Sequence, residues 1–386
     1  MGTHVSVAGM GMDIHRHFSQ VSACDAAGRI LWRQRLDHHD REALRRTLAR
    51  WPTNTSVVLE GSFGWSWLAD ELALAGLRPR LASSRKAAAW RDLHGQAKCD
   101  RTDADLLSRL ACASAHLWEV WLPPPDVRQQ REWLRGRMAL VRQQTGLKNR
   151  VHAILHRHGL FPESVTLFSG VGRRWLQRQV VPATSLLPPS AQDVLRKYLQ
   201  VLDHLRRQIA SLTRVFRRQV MADPVSQRLR TLPGVQWILA YTLRAEIGQI
   251  ERFPSARHLA SYSLLAPRAH ETGDPGDAPP RGRHVGHQGR RTLQWAYVEA
   301  AHGAVYRSPR LRNWFAKYTS GGRRQRGRGY LAIAHRLCQA SYVIWKKEQV
   351  YREDPAPRPG SRRRHAGRAR PVKGQPADAM VPVTTG

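Results

Sequence analysis

Short apolar runs dominate the first third of the chain, and longer helical periods replace them afterwards. Residues 5–13 (VSVAGMGMD) predict a buried strand that ends on a carboxylate, Asp13. Between Val21 and Leu36 two strand-like runs flank Asp25-Ala26-Ala27-Gly28, a turn composition, so a hairpin is predicted there. A helical stretch covers 41–51, and Val57-Val58-Leu59-Glu60 is a second short apolar strand ending on an acid. An amphipathic helix over 65–75, a third core strand over 77–82 and a helix over 87–94 follow. Strands interleaved with helices predict parallel pairing, and the leading hairpin makes the sheet mixed.

From 126 to about 158 the pattern is helical and strongly basic, with apolar residues at Trp133, Val141, Leu147, Val151 and Leu155. A second long helix is predicted over 190–221, where leucines from Leu195 to Leu212 recur every three or four residues. That spacing suits a helical hairpin, a short coiled coil or a pair of core helices equally well. Helices are also predicted up to Ile247-Gly248, after Phe253-Pro254 and over 292–305, with a Gly/Pro-rich loop between Pro267 and Gly289. Residues 353–386 are rich in Pro, Gly, Ala and Arg and predict a disordered basic tail.

Charge changes the picture most. The 386 residues hold 63 basic and 29 acidic side chains, a net +34 that points to a polyanionic partner, most simply nucleic acid. GC-rich coding explains the excess of Arg over Lys, but not that of basic over acidic residues. Residues 278–347 alone hold 15 Lys or Arg and one acid, Glu299. No run approaches 18 apolar residues and no signal peptide is evident, so a membrane association is not expected. Cys24, Cys99, Cys112 and Cys338 form no C-x-x-C pair, which predicts a reduced, cytoplasmic protein without a zinc ribbon. P-loop, zincin and hydrolase-elbow motifs are absent.

Four acids stand out. Asp13 and Glu60 each end a predicted strand, so their side chains can meet on one rim of the sheet. Asp100 and Asp103 begin a predicted helix running through Leu110, and a spacing of three puts them on one face, whereas Asp105 points elsewhere. Converging carboxylates repel unless a cation neutralises them, and oxygen-only ligands suit Mg²⁺ or Mn²⁺ in phosphodiester chemistry. Helix capping would account for Asp100 and Asp103 taken alone. Further on, Leu232-Pro233-Gly234-Val235 with Ala240, Leu243 and Ile247-Gly248 suits half of a helix-hairpin-helix or an ordinary turn between core helices. Thr272, in Glu271-Thr272-Gly273, offers a hydroxyl beside a Gly, although most loop threonines only form turns.

Met12-Asp13-Ile14-His15, Leu59-Glu60-Gly61 and Lys98-Cys99-Asp100-Arg101-Thr102-Asp103-Ala104 closely resemble the DEDD-type insertion-sequence transposases. So do Glu246-Ile247-Gly248, Phe253-Pro254-Ser255, Leu265-Ala266-Pro267 and Gly289-Arg290-Arg291 before Val298-Glu299-Ala300-Ala301, and the resemblance covers roughly residues 5–345. It implies an α/β RNase H-like (RuvC-like) domain over 1–160, a helical or coiled-coil region over 161–225, and a mainly α transposase domain over 226–352. It also implies that Asp13, Glu60, Asp100 and Asp103 coordinate Mg²⁺, and that a hydroxyl nucleophile from the C-terminal domain joins covalently to DNA. The implied partners are DNA, a structured guide RNA and further copies of the chain in a dimer or tetramer, at the nucleoid. Where the family has Ser-Gly, this sequence has Thr272-Gly273, so Thr272 is a slower nucleophile, another serine such as Ser261 or Ser263 acts, or the copy is impaired. A metal-dependent junction-resolving nuclease and a non-catalytic nucleic-acid-binding relative are the alternatives.

Overall fold

The computed structural model describes residues 6–61, 63–93, 100–112, 119–162, 166–266, 289–320 and 326–353. The chain divides between Arg128 and Gln129 into two compact units.

The first unit is built on a six-stranded sheet: β1 (Gly9–Ile14), β2 (Phe18–Cys24), β3 (Ile30–Asp37), β4 (Ser56–Glu60), β5 (Arg78–Ala82) and β6 (Glu119–Val120), in the order β3-β2-β1-β4-β5-β6. β1, β4 and β5 run parallel, while the β2–β3 hairpin on one side and β6 on the other are antiparallel. The mixed sheet expected from the hairpin is thus present. Its turn closes on Asp25, whose side chain accepts from the Ala27 and Arg29 amides at 3.0 and 2.9 Å. The Arg29 amide, aided by the Arg29 guanidinium, holds the Asp25 carboxyl below its ordinary pKa.

Four helices belong to this unit: α1 (Arg41–Leu48), α2 (Trp65–Leu74), α3 (Ser84–Leu93) and α4 (Asp100–Cys112). Strand alternation sends Met10, Met12, Val57 and Leu59 into one core with Leu44, Leu48, Leu68 and Leu72 of α1 and α2. Val58 and Ala82 pack on the opposite face with Leu106, Leu107, Leu110 and Ala111 of α4.

β1 meets α4 unusually closely, because Gly9 and Gly11 occupy the α4 side of the strand. A Cβ on Gly11 would lie 2.2 Å from the Ser108 amide nitrogen and 2.4 Å from the Ala104 oxygen. One on Gly9 would lie 2.7 Å from both Ala111 Cβ and Cys112 Sγ. Only glycine admits a helix backbone at that distance. The same contacts fix direction: α4 runs antiparallel to β1, its N-terminus toward the carboxyl end of the strand.

α5 (Pro125–Arg157) begins at the division, and the second unit continues with α6 (Gly170–Arg178), α7 (Pro189–Ala222), α8 (Pro224–Leu229), α9 (Trp237–Ile247), α10 (Ala256–Tyr262), α11 (Arg291–Arg307), α12 (Pro309–Thr319) and α13 (Arg326–Lys346). Val151 and Leu155 of α5, Leu176 of α6, and Leu195, Leu199 and Leu202 of α7 form one of its cores. A larger core joins α9, α11 and α13, where Ala296, Ala300 and Ala304 recur every four residues and let neighbours approach. Gly234, at φ 82°, uses that space: a Cβ there would be 2.0 Å from the Ala300 oxygen. This close seat on α11 accounts for the glycine in Leu232-Pro233-Gly234-Val235. Among the described residues no helix is long and apolar enough to cross a membrane.

Candidate active site at the carboxyl rim of the sheet

The last paired residues of the β1–β4 ladder are Met12 and Leu59, and Asp13 and Glu60 are the next residue of each strand. They therefore stand side by side at the carboxyl rim. Both continue the alternation that faces α4, Asp13 after Gly9 and Gly11, Glu60 after Val58. Asp13 is 9% exposed, and His15 Nε2 lies 3.1 Å from its Oδ2. Glu60 and Asp103 are partly exposed.

The N-terminus of α4 arrives at the same rim. Gly11 lies under Ala104, Leu107 and Ser108. Two strand residues advance about 6.6 Å, which one helical turn of about 5.4 Å nearly matches. Asp100 and Asp103, one turn before Ala104 and Leu107, thus come level with Asp13. Among the described residues no three His, Cys, Asp or Glu side chains are close enough to hold an ion, and the Asp100 side chain lies outside them.

Asp105 plays a different part. It accepts from Ser22 Oγ at 2.6 Å and from Arg33 Nε and Nη2 at 3.0 and 2.8 Å, and is buried. This clasp ties the middle of α4 to β2 and β3. At the far end of the helix Cys112 Sγ lies 3.3 Å from Cys24 Sγ, and burial pushes the Cys112 thiol up to about 12. The helix is held at its middle and its far end, which fixes the direction in which its backbone reaches the rim. The spacing gave no sign of His15 as a partner of Asp13, and the glycine alternation Gly9-Met10-Gly11 was the available signal for the covering helix.

Thr272 lies outside the described residues, together with the rest of 267–288. The ends of that stretch are neighbours: the Arg290 amide donates to the Tyr262 carbonyl at 2.7 Å, and Gln294 Nε2 donates to the Leu264 carbonyl at 2.8 Å. Beside them Arg290 Nε donates to the Tyr262 hydroxyl at 2.9 Å, and Arg131 and Arg290 each lie 3.8 Å from the buried Glu246 carboxylate. Burial pushes the Tyr262 phenol up, but the charges of Arg290 and Arg252 prevail and hold it below its ordinary pKa. Of the two alternative serines, Ser263 is fully buried beside Cys338. Ser261 is exposed rather than packed on a helix face.

Residues 10–160 match the transposase model of the DEDD IS110 type, and residues 226–319 match that of the Transposase IS116/IS110/IS902 family. The transposase for insertion sequence element IS1328 of Yersinia enterocolitica is 24% identical over 89% of this chain and 98% of its own length. A probable family 20 transposase of Pseudomonas aeruginosa is 23% identical over 90% of this chain and 99% of its own. The transposase for insertion sequence element IS1111A of Coxiella burnetii is 24% identical over 69% of this chain and 70% of its own.

Proposed function

The chain belongs to the IS110 family of transposases, and on that premise we propose that it cleaves and rejoins insertion-element DNA by phosphoryl transfer at the carboxyl rim of its sheet, with Thr272 as the nucleophile. The observation that carries this reading is the position of Asp13, Glu60 and the N-terminus of α4 on one face of adjacent parallel strand ends. An RNase H-like (RuvC-like) descent of the sheet agrees with its mixed order. All four acids offer oxygen alone, the donor set that hard divalent ions take. Asp13, Glu60, Asp100 and Asp103 would hold Mg²⁺ or Mn²⁺. Such an ion would supply neutralisation of the charge that builds up as a phosphodiester is cleaved.

In the reaction the Thr272 hydroxyl oxygen displaces a deoxyribose oxygen from phosphorus. A phosphothreonyl–DNA ester forms, the P–O bond to the sugar breaks, and the threonyl proton passes through solvent to the released sugar oxygen. Attack by another strand's sugar hydroxyl then breaks the phosphothreonyl ester and restores the threonine. Positioning and electrostatics do most of this work, as in other phosphoryl transfers. The extra methyl of threonine crowds an in-line approach, so turnover is slow. A structured guide RNA and a dimer or tetramer belong to the same reading, and the net charge of +34 leaves room for more than one nucleic acid.

The covalent step is tested on a denaturing gel. Protein incubated with Mg²⁺, its associated RNA and DNA carrying the element ends should give a protein–DNA adduct. Thr272→Ala should give none, and Thr272→Ser should restore it. Cleaved DNA without an adduct would instead identify a hydrolytic nuclease.

A further inference from the structure

A cleft of about 710 Å³ opens between α5 and α7 within the second unit. Lys148 of α5 and Arg206, Arg214 and Arg217 of α7 line it, and among the described residues no carboxylate pairs with any of the four. Its one acid, Asp203, is already taken by Arg173. Aromatic rings hold the outer cations instead. Lys148 Nζ lies 5.2 Å from the Phe168 ring centre, and the Arg217 guanidinium lies 5.3 Å from that of Trp237. A ring orients a cation without cancelling its charge. The cleft therefore carries four uncompensated positive charges on fixed walls, which is an anion site of extended shape.

We propose that this cleft binds a single DNA strand through its phosphates, at a place separate from the carboxyl rim. Arg206 to Arg217 span eleven helical residues, about 16 Å at 1.5 Å each. That length accommodates several successive phosphates of one strand. The four cations line one cleft between two helices, a row that a single sugar-phosphate chain can follow. The choice of DNA over other polyanions rests on the transposase reading; the cleft and its charge do not.

The test measures binding of a fluorescent 20-nucleotide DNA strand to the full chain in EDTA, across a salt series, so that cleavage plays no part. Arg206→Gln/Arg214→Gln/Arg217→Gln should lower the slope of log affinity against log salt by about 2, at roughly 0.7 per lost contact, or about a hundredfold at 0.1 M salt. Arg214→Gln alone should lower it by about 0.7. Lys197→Gln/Arg207→Gln/Arg218→Gln removes the same charge from positions of α7 that do not line the cleft and should leave the slope near that of the unaltered chain. Equal losses in the two triple variants would overturn the proposal. So would a loss confined to an RNA strand, or one as large for a duplex of the same length. The adduct experiment is independent, so failure of one reading is not failure of the other.

Discussion

Asp13→Asn is expected to abolish strand cleavage, with a rate loss of about a thousandfold or more, while the protein melts as before. A metal-held carboxylate contributes several kcal/mol to phosphoryl-transfer transition states, and each 1.36 kcal/mol is a factor of ten. Asparagine keeps the shape and can still bond to His15, and removing one of several neighbouring negative charges relieves repulsion rather than adding it. Asp105→Asn should do the reverse. It weakens a two-pronged bond to Arg33 and the bond from Ser22, lowering stability while leaving the molecules that remain folded active. Asp13 stands at the rim and Asp105 in the clasp from α4 to β2 and β3, so the contrast separates chemistry from scaffolding. Excision and in-vitro cleavage measured beside a melting curve decide it; cleavage at the wild-type rate by Asp13→Asn would refute the site.

The second large effect is mechanical. Gly11→Ala should destabilise the first unit by about 3 kcal/mol, lowering its melting temperature on the order of 10 °C. Alanine is ordinarily better than glycine in a strand, by about 0.5–1 kcal/mol. Here the sign reverses, because the added methyl would meet backbone atoms of α4 at 2.2–2.6 Å, and backbone cannot rotate away. The helix must lift from the strand, carrying Asp100 and Asp103 off the rim, so cleavage should fall in the molecules that still fold. Calorimetry of Gly11→Ala checks it: an unchanged or raised melting temperature would mean that α4 does not lie on β1.

The strands that position the rim were readable because each is a short apolar run that ends on an acid, a pattern that buried parallel strands share. The hairpin was readable from Asp25 to Gly28, where turn chemistry separates the runs. What could not be read was which element covers which face. Gly9 and Gly11 announce a close neighbour, but nothing in their spacing names α4, a hundred residues away. The long helices show themselves in the sequence, α5 by a basic helical pattern with spaced apolar residues and α7 by leucine periodicity, but the cleft between them does not, since it depends on side chains from both. α12 and α13 are not legible in the sequence because the dense positive charge of 278–347 masks the apolar stripe from Ile333 to Trp345. α6, at 170–178, is short and flanked by loops, and β6 pairs only through Leu81 and Ala82.

Binding of Mn²⁺ tests most directly whether the acids form one site. A chain of net charge +34 repels cations over most of its surface, so a stoichiometric divalent site stands out against little background. Electron paramagnetic resonance of Mn²⁺ titrated into the full chain should show one saturable class of site that Mg²⁺ displaces and that both Asp13→Asn and Asp103→Asn abolish. Binding that is equal in the unaltered chain and the two variants would contradict the assignment of these carboxylates to a shared ion.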